Sequence, residues 1–155
     1  MLRRIRQRKF ENKGGRFAIV AAKYNGRYVD AMVRAAKNEL RKAGVTEVQV
    51  VRVPGSFEIP AVAARLAHAR IPPLSAIICL GVIFQGETSH AQHVGWGVTH
   101  ALAQIQLQHM IPVVHGVFVF EKEAQARLRC LGTKHNRGME AARTALEMVG
   151  VMKSL

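Results

Sequence analysis

Two patterns of apolar positions alternate along the 155-residue chain: short continuous runs, and longer stretches with helical spacing. Residues 16–22 (RFAIVAA) form an apolar run after Gly14-Gly15, which predicts a buried strand. Residues 27–43 carry Val29, Met32, Val33, Ala36 and Leu40 at helical spacing, and Gly44 supplies the stop. Residues 47–53 alternate as a strand does, and Pro54-Gly55-Ser56 is a turn leading into a helix over 57–69, with Pro60 acceptable in its first turn. Pro72-Pro73 interrupts the chain before a buried strand at 75–80 (SAIICL), and a loop is expected over 81–86. A long helix follows over 90–110, weakened by Gly95 and Gly97. Residues 112–120 (PVVHGVFVF) are β-branched and aromatic, hence a strand. A short helix over 122–130 comes next, then a final helix over 138–152 with Ala142, Ala145, Leu146 and Val149 on one stripe.

Apolar strands linked by amphipathic helices predict an α/β fold: a three-layer sandwich with a central, mostly parallel sheet and helices on both faces. The length suits about one domain, which buries roughly two-thirds of its unfolded surface. No linker, repeat or low-complexity block is present, so residues 16–155 are expected to be a single domain behind a basic arm at 1–15. In open sheets of this kind ligands bind beyond the carboxyl ends of the strands. The segments to inspect are therefore Lys23-Tyr24-Asn25, residues 54–58, residues 81–90 and the region after Phe120.

Composition narrows the classes. Apolar residues make up 49% and charged residues 21%, which excludes wholesale disorder. No apolar run reaches the length of a bilayer span. Cys79 and Cys130 make no disulfide framework, so a cytoplasmic location is expected. The formal charge is +13, and Arg3, Arg4, Arg6, Arg8 and Lys9 supply five of those charges with no acid among them. Such a tail can contact RNA, DNA or an anionic membrane. Only Phe10 interleaves with it, and neither a zinc-finger spacing nor another nucleic-acid module is present. A solvated or partner-bound arm is the favoured reading, with nucleic acid limited to nonspecific contact and no membrane partner.

Several fingerprints are missing: G-x-G-x-x-G after the first strand, G-x-x-x-x-G-K-[ST], and G-x-S-x-G. What remains is GVIFQGETSH at 81–90, between a strand and a helix. Its glycines admit close backbone approach, Thr88 or Ser89 can cap the helix, and uncapped amides there attract anions. An ordinary strand-to-helix turn explains the segment equally well. Glu87, His90 and His93 share a helical face, but no cysteine or further acid completes a metal set, so none is assigned. His90 is better placed for acid/base work, while His93, His100 and His109 read as surface histidines. Glu58 at a helix start either complements the dipole or accepts hydrogen bonds from a heterocycle or polyol, and spacing alone favours the dipole. Arg129 and Arg137 bracket GTKHN at 132–136, which suits a phosphorylated small molecule or a solvated basic loop.

Taken together, Lys23-Tyr24-Asn25, VPGSFEIP at 53–60 and LGVIFQGETSH at 80–90 resemble the 6,7-dimethyl-8-ribityllumazine synthase family, the riboflavin synthase beta-chain family. PVVHG at 112–116, QARLR at 125–129, NRG at 136–138 and ALEM at 145–148 extend the resemblance from about Phe17 to Met148. It implies condensation of 5-amino-6-ribitylamino-uracil with 3,4-dihydroxy-2-butanone 4-phosphate, with loss of phosphate and water and without a cofactor. It further implies that His90 transfers protons and that Arg129 holds the butanone phosphate, helped by Glu87 and Thr88. Tyr24 takes the place of the aromatic residue that stacks on the pyrimidine. Ser56, Phe57, Glu58, Val82, Ile83 and Phe84 line the ring and the ribityl chain, and His115 lies on the neighbouring subunit's side of the pocket. The family forms homo-oligomers: pentamers and, in many members, 60-subunit capsids. Active sites lie between subunits, and the N-terminal segment tends to add a strand to a neighbour's sheet.

The chain departs from the family pattern at five positions. His115 and Tyr24 stand where phenylalanine is usual, Arg137 where lysine is usual, and Phe84-Gln85 where Ile-Arg is frequent. These changes bear on affinity and leave His90 and Arg129 untouched. Two other classes compete: a non-catalytic flavin or lumazine carrier, which needs neither His90 nor Arg129, and a nucleic-acid binder, whose affinity falls steeply with salt.

Overall fold

The structure is a computed structural model that describes residues 15–69 and 71–155; the expected arm, Gly15 apart, lies outside the described residues. Four strands, β1 (Arg16–Ala22), β2 (Glu47–Val53), β3 (Ala76–Phe84) and β4 (Val113–Phe120), alternate with helices α1 (Gly26–Lys42), α2 (Ile59–His68) and α3 (His90–His109). Two further helices, α4 (Glu123–Cys130) and α5 (Arg137–Lys153), follow β4. All strand pairs are parallel, in the order β2-β1-β3-β4. The architecture is the α/β sandwich expected from the apolar pattern.

The order reverses between β1 and β3, one strand pair leading to β2 and the other to β4. Right-handed crossovers then require helices on opposite faces, and a crevice opens at the reversal. Side-chain alternation along β1 builds the two cores: Phe17, Ile19 and Ala21 face α1, α4 and α5, whereas Ala18, Val20 and Ala22 face α2 and α3.

The stripe Val29, Met32, Val33, Ala36 and Leu40 is buried as its spacing predicts. Gly44 at φ 85° ends α1, with the Val45 N–H donating to Leu40 O at 3.0 Å. Ala142, Ala145, Leu146 and Val149 of α5 are buried against α1. Gly138 lies directly on the Met32 backbone, so any Cβ there would collide with main chain.

Three expectations need correction. Residues 81–86 do not form one loop, because β3 continues through Phe84 and pairs Gly81–Phe84 with Val117–Phe120. The apolar stretch LGVIF is strand, and Gly81 is small because Ser56 sits on it. The helix expected over 57–69 is divided into a 3-10 turn, Ser56–Glu58, and α2, with Pro60 in the latter's first turn. Gly95 and Gly97 do not interrupt α3; they make room for Val119 and Phe57.

Candidate active site

The end of β1 is tied to both of its neighbours. The N–H groups of Lys23 and Tyr24 donate to Val53 O at 2.8 Å and Pro54 O at 3.0 Å. Asn25 turns the chain in the left-handed region (φ 56°, ψ 39°), a conformation that asparagine tolerates better than most residues. Its Nδ2 donates to Val82 O at 2.7 Å, bridging the point where the strand order reverses.

Four predicted residues gather around this bridge. Tyr24 is 69% exposed and lays its ring against Gly55, where a Cβ would lie 2.9 Å from Tyr24 Cδ2. Glu58 Oε2 accepts the Gly55 N–H at 2.8 Å, so one carboxylate oxygen is committed to the turn. Ser56 is buried over Gly81, and Phe57, 63% exposed, rests its ring on Gly97 of α3. Ile83 is half-buried on the same face of the sheet. The side chains of Val82 and Phe84 point to the other face. Val82 is buried there, and Phe84 meets the Tyr28 ring edge-on at 5.7 Å. Residues 82 and 84 therefore offer main chain rather than side chain to a ligand in the crevice.

The loop at 85–89 is braced from within. The Gln85 N–H donates to Phe120 O at 2.8 Å, and its Nε2 donates to Thr88 O at 2.8 Å and Gly86 O at 3.1 Å. Glu87, Thr88 and His90 are exposed at the loop mouth, with His90 opening α3. Thr88 Oγ1 accepts the His90 N–H at 3.4 Å, while Ser89 makes no side-chain cap. The first-turn amides of α3 thus face the mouth without a strong internal acceptor, which favours an anionic or electron-rich ligand. His93 Nε2 meets Ser89 Oγ at 3.1 Å, a local contact one turn from His90. Among the described residues no three His, Cys, Asp or Glu side chains converge as metal ligands.

His115 lies on β4, on the α3 side. Thr99 Oγ1 donates to Gly95 O at 2.8 Å and also lies 2.8 Å from His115 Nε2. Lost hydration lowers the His115 pKa, against a smaller opposing effect of its backbone hydrogen bond, although part of the side chain reaches solvent. Thr99 is nine residues along α3 from His90, roughly 13 Å at the helical rise, so one chain does not bring the two histidines together.

Arg129 stands exposed in the last turn of α4 and makes no ion pair among the described residues. Arg127, two positions earlier, donates to Glu123 at 3.2 Å. Asn136 locks the following loop: its Nδ2 donates to Cys130 O at 2.6 Å and its Oδ1 accepts the Gly138 N–H at 2.8 Å. Arg137 donates to Glu140 at 2.5 Å and lies 5.7 Å from the Phe118 ring centroid. Because α4 packs with α1 and α5, Arg129 is on the opposite side of the sheet from α3 and His90.

Sequence reasoning did not single out the Asn25 bridge, the Gln85 brace or the Thr99 partner of His115. Asparagine just before a helix was the one available signal, since it marks a left-handed turn.

The family profile described as 6,7-dimethyl-8-ribityllumazine synthase matches residues 14–153. A 6,7-dimethyl-8-ribityllumazine synthase of Stenotrophomonas maltophilia (strain R551-3) is 39% identical over 145 residues, covering 92% of each chain. One of Xanthomonas campestris pv. campestris (strain B100) is 40% identical over 142 residues, covering 90% of this chain and 91% of the relative. With its motif segments gathered at the carboxyl ends of a parallel sheet and a match across almost its whole length, the chain belongs to the 6,7-dimethyl-8-ribityllumazine synthase family.

Proposed function

We infer that this chain is a transferase of riboflavin biosynthesis that condenses 5-amino-6-ribitylamino-uracil with 3,4-dihydroxy-2-butanone 4-phosphate, releasing phosphate and water. The observation that carries this reading is the family match across residues 14–153. An aromatic amine attacks a ketone and water leaves to give an imine; phosphate is eliminated to leave a new carbonyl; the ribitylamino nitrogen attacks that carbonyl, and a second water leaves as the ring closes. These steps need proton transfer and positioning, which side chains supply without a cofactor.

His90 is the proton-transferring residue, standing at the loop mouth beside the first-turn amides of α3. The exposed rings of Tyr24 and Phe57 form the stacking surface for the pyrimidine, with Ser56, Glu58, Ile83 and the main chain at Val82 and Phe84 along the ring and ribityl chain. Glu87, Thr88 and Arg129 receive the phosphate. His90 and Arg129 lie on opposite faces of one chain, which supports a site completed between copies, with Arg129 and His115 supplied by the neighbour.

The assembly that does this is a homopentamer, with a 60-subunit capsid as its higher form. The 20-residue helix α3 contains no Asp, Glu, Lys or Arg and leaves Trp96 and Leu107 exposed, which supports burial against a neighbour. Cys79 and Cys130 are unpaired and face different cores, and burial pushes their thiols up to about 12 and about 11. Inert reduced thiols suit a cytoplasmic enzyme. Among the described residues no helix is long and apolar enough to cross a membrane.

The test mixes both substrates with purified protein and follows the lumazine absorbance and phosphate release. Stoichiometric formation of both products is expected. Tight lumazine binding without turnover would instead establish a carrier.

A further inference from the structure

Helix α4 has only 8 residues. A helix of that length is not stable alone and takes its orientation from its attachments. Ala126 and Cys130 dock it on the core. At its C-terminal end Asn136 Nδ2 holds Cys130 O. At its N-terminal end the Tyr28 hydroxyl donates to Glu123 Oε1 at 2.5 Å. Glu123 also receives Arg127 at 3.2 Å and has Arg27 at 3.9 Å.

Tyr28 is well placed to orient this end. It is buried in the first turn of α1, three residues after the left-handed Asn25, and its ring meets Phe84. Phe84 is the last residue of β3, immediately before the loop that leads to His90. One side chain therefore joins the first turn of α1, the end of β3 and the start of α4. The hydrogen bond from Tyr28 holds the Glu123 carboxyl below its usual range, with Arg127 adding to the effect, and the same bond raises the Tyr28 pKa. Donor and acceptor thus persist through neutral pH.

We propose that Tyr28 and Glu123 form a positioning pair that fixes the N-terminal end of α4 and thereby the reach of Arg129. The proposal rests on the reading of Arg129 as the phosphate-binding residue. Held at both ends, α4 keeps its orientation on the core, and the Cα–Cβ bond of a residue in its last turn keeps its direction. Engaging Arg127 with Glu123 also leaves Arg129 as the cation on this helix without an ion pair among the described residues.

The test is steady-state kinetics on the assembled protein with both substrates. Tyr28→Phe keeps the ring on Phe84 and removes only the tie to α4. It should raise KM for the butanone phosphate about threefold to tenfold, the scale of one hydrogen bond. The pyrimidine KM and kcat should stay within about twofold, and Glu123→Ala should behave alike. In an Arg129→Ala background, Tyr28→Phe should change KM no further, because it acts through Arg129. An equal fold-change in both backgrounds, or a Tyr28→Phe effect on kcat alone, would overturn the proposal while leaving Arg129 in place. An Arg129→Ala variant with unchanged KM would instead overturn the reading of Arg129 and the proposal with it.

Discussion

The two faces of the sheet are built to different standards. On the face of α1, α4 and α5, ion pairs join one element to the next: Arg143 of α5 donates to Glu39 of α1 at 3.0 Å, and Arg52 of β2 to Asp30 of α1 at 2.6 Å. On the other face no described ion pair involves α2 or α3. That face instead leaves Phe57, Trp96 and Val119 open to solvent. One layer is tied together by ion pairs and leaves Leu128 of α4 as its most exposed helical apolar side chain, while the other has no such ties and exposes aromatic surface. A protein that must hold a flat heterocycle and assemble benefits from that division.

Glycine substitutions test the contrast most severely. Gly138→Val places a side chain against the Met32 backbone, where neither helix can yield. Overpacking costs typically 1–3 kcal/mol, and a backbone collision belongs at or beyond the top of that range. Little soluble, assembled protein is expected. Gly97→Ala on the open face puts a Cβ 3.3 Å from Cε2 on the edge of the Phe57 ring, which is exposed and free to shift. Alanine also gains up to about 1 kcal/mol of helix propensity. The melting temperature of that variant should stay near wild type. Equal destabilisation by the two would show that the open face is as tightly packed as the closed one.

The proposed chemistry divides along the same line. His90→Ala, on the α3 side, should lower kcat by about 10²–10⁴, the usual contribution of a general acid/base. Binding and proximity remain, so turnover should persist above the uncatalysed condensation. A wild-type kcat at neutral pH with both substrates saturating would remove the acid/base role. Arg129→Ala, on the α4 side, should weaken the butanone phosphate by about 10–150-fold, since charge-assisted hydrogen bonds are worth roughly 1.5–3 kcal/mol. Pyrimidine KM should be nearly unchanged. Arg127→Ala is the internal control, because that guanidinium is occupied by Glu123. Equal effects from the two arginines would sink the assignment.

What was legible in the sequence follows from how local each feature is. The limits of β1 and β2 can be read to the residue, since a run or an alternation bounded by polar or turn residues needs no distant partner. The buried stripes of α1 and α5 are legible for the same reason. The length of β3 is not, because Gly81 reads as a turn until Ser56 is seen to occupy the space above it. Once β3 extends to Phe84, alternation sends Val82 and Phe84 to one face and Ile83 to the other, which no motif match can reveal. Three of the candidate segments follow strands, as the topology demands, whereas 81–90 begins inside β3 and follows it only from Gln85. Their side-chain partners were not legible, since Asn25 with Val82 and Thr99 with His115 depend on the register of distant elements.

His115 gives the smallest and most specific test. Its pKa is lowered in the folded protein, first by lost hydration, so folding disfavours the protonated ring. The unfolded chain titrates near 6.5. Between that value and the lower folded one, the unfolded state binds more protons, and stability rises with pH. This contribution is complete above about pH 6.5 and is lost as the pH falls through the folded pKa. His115→Phe removes the titration and leaves Thr99, which is exposed, to bond with water. The stability advantage of wild type over the variant should therefore shrink on acidification, measured by denaturant midpoints at pH 7.5 and 5.5. An advantage that grows on acidification would mean that the protonated ring is the favoured native form. The Thr99 oxygen would then be holding an imidazolium, beside a helix that contains no Asp, Glu, Lys or Arg.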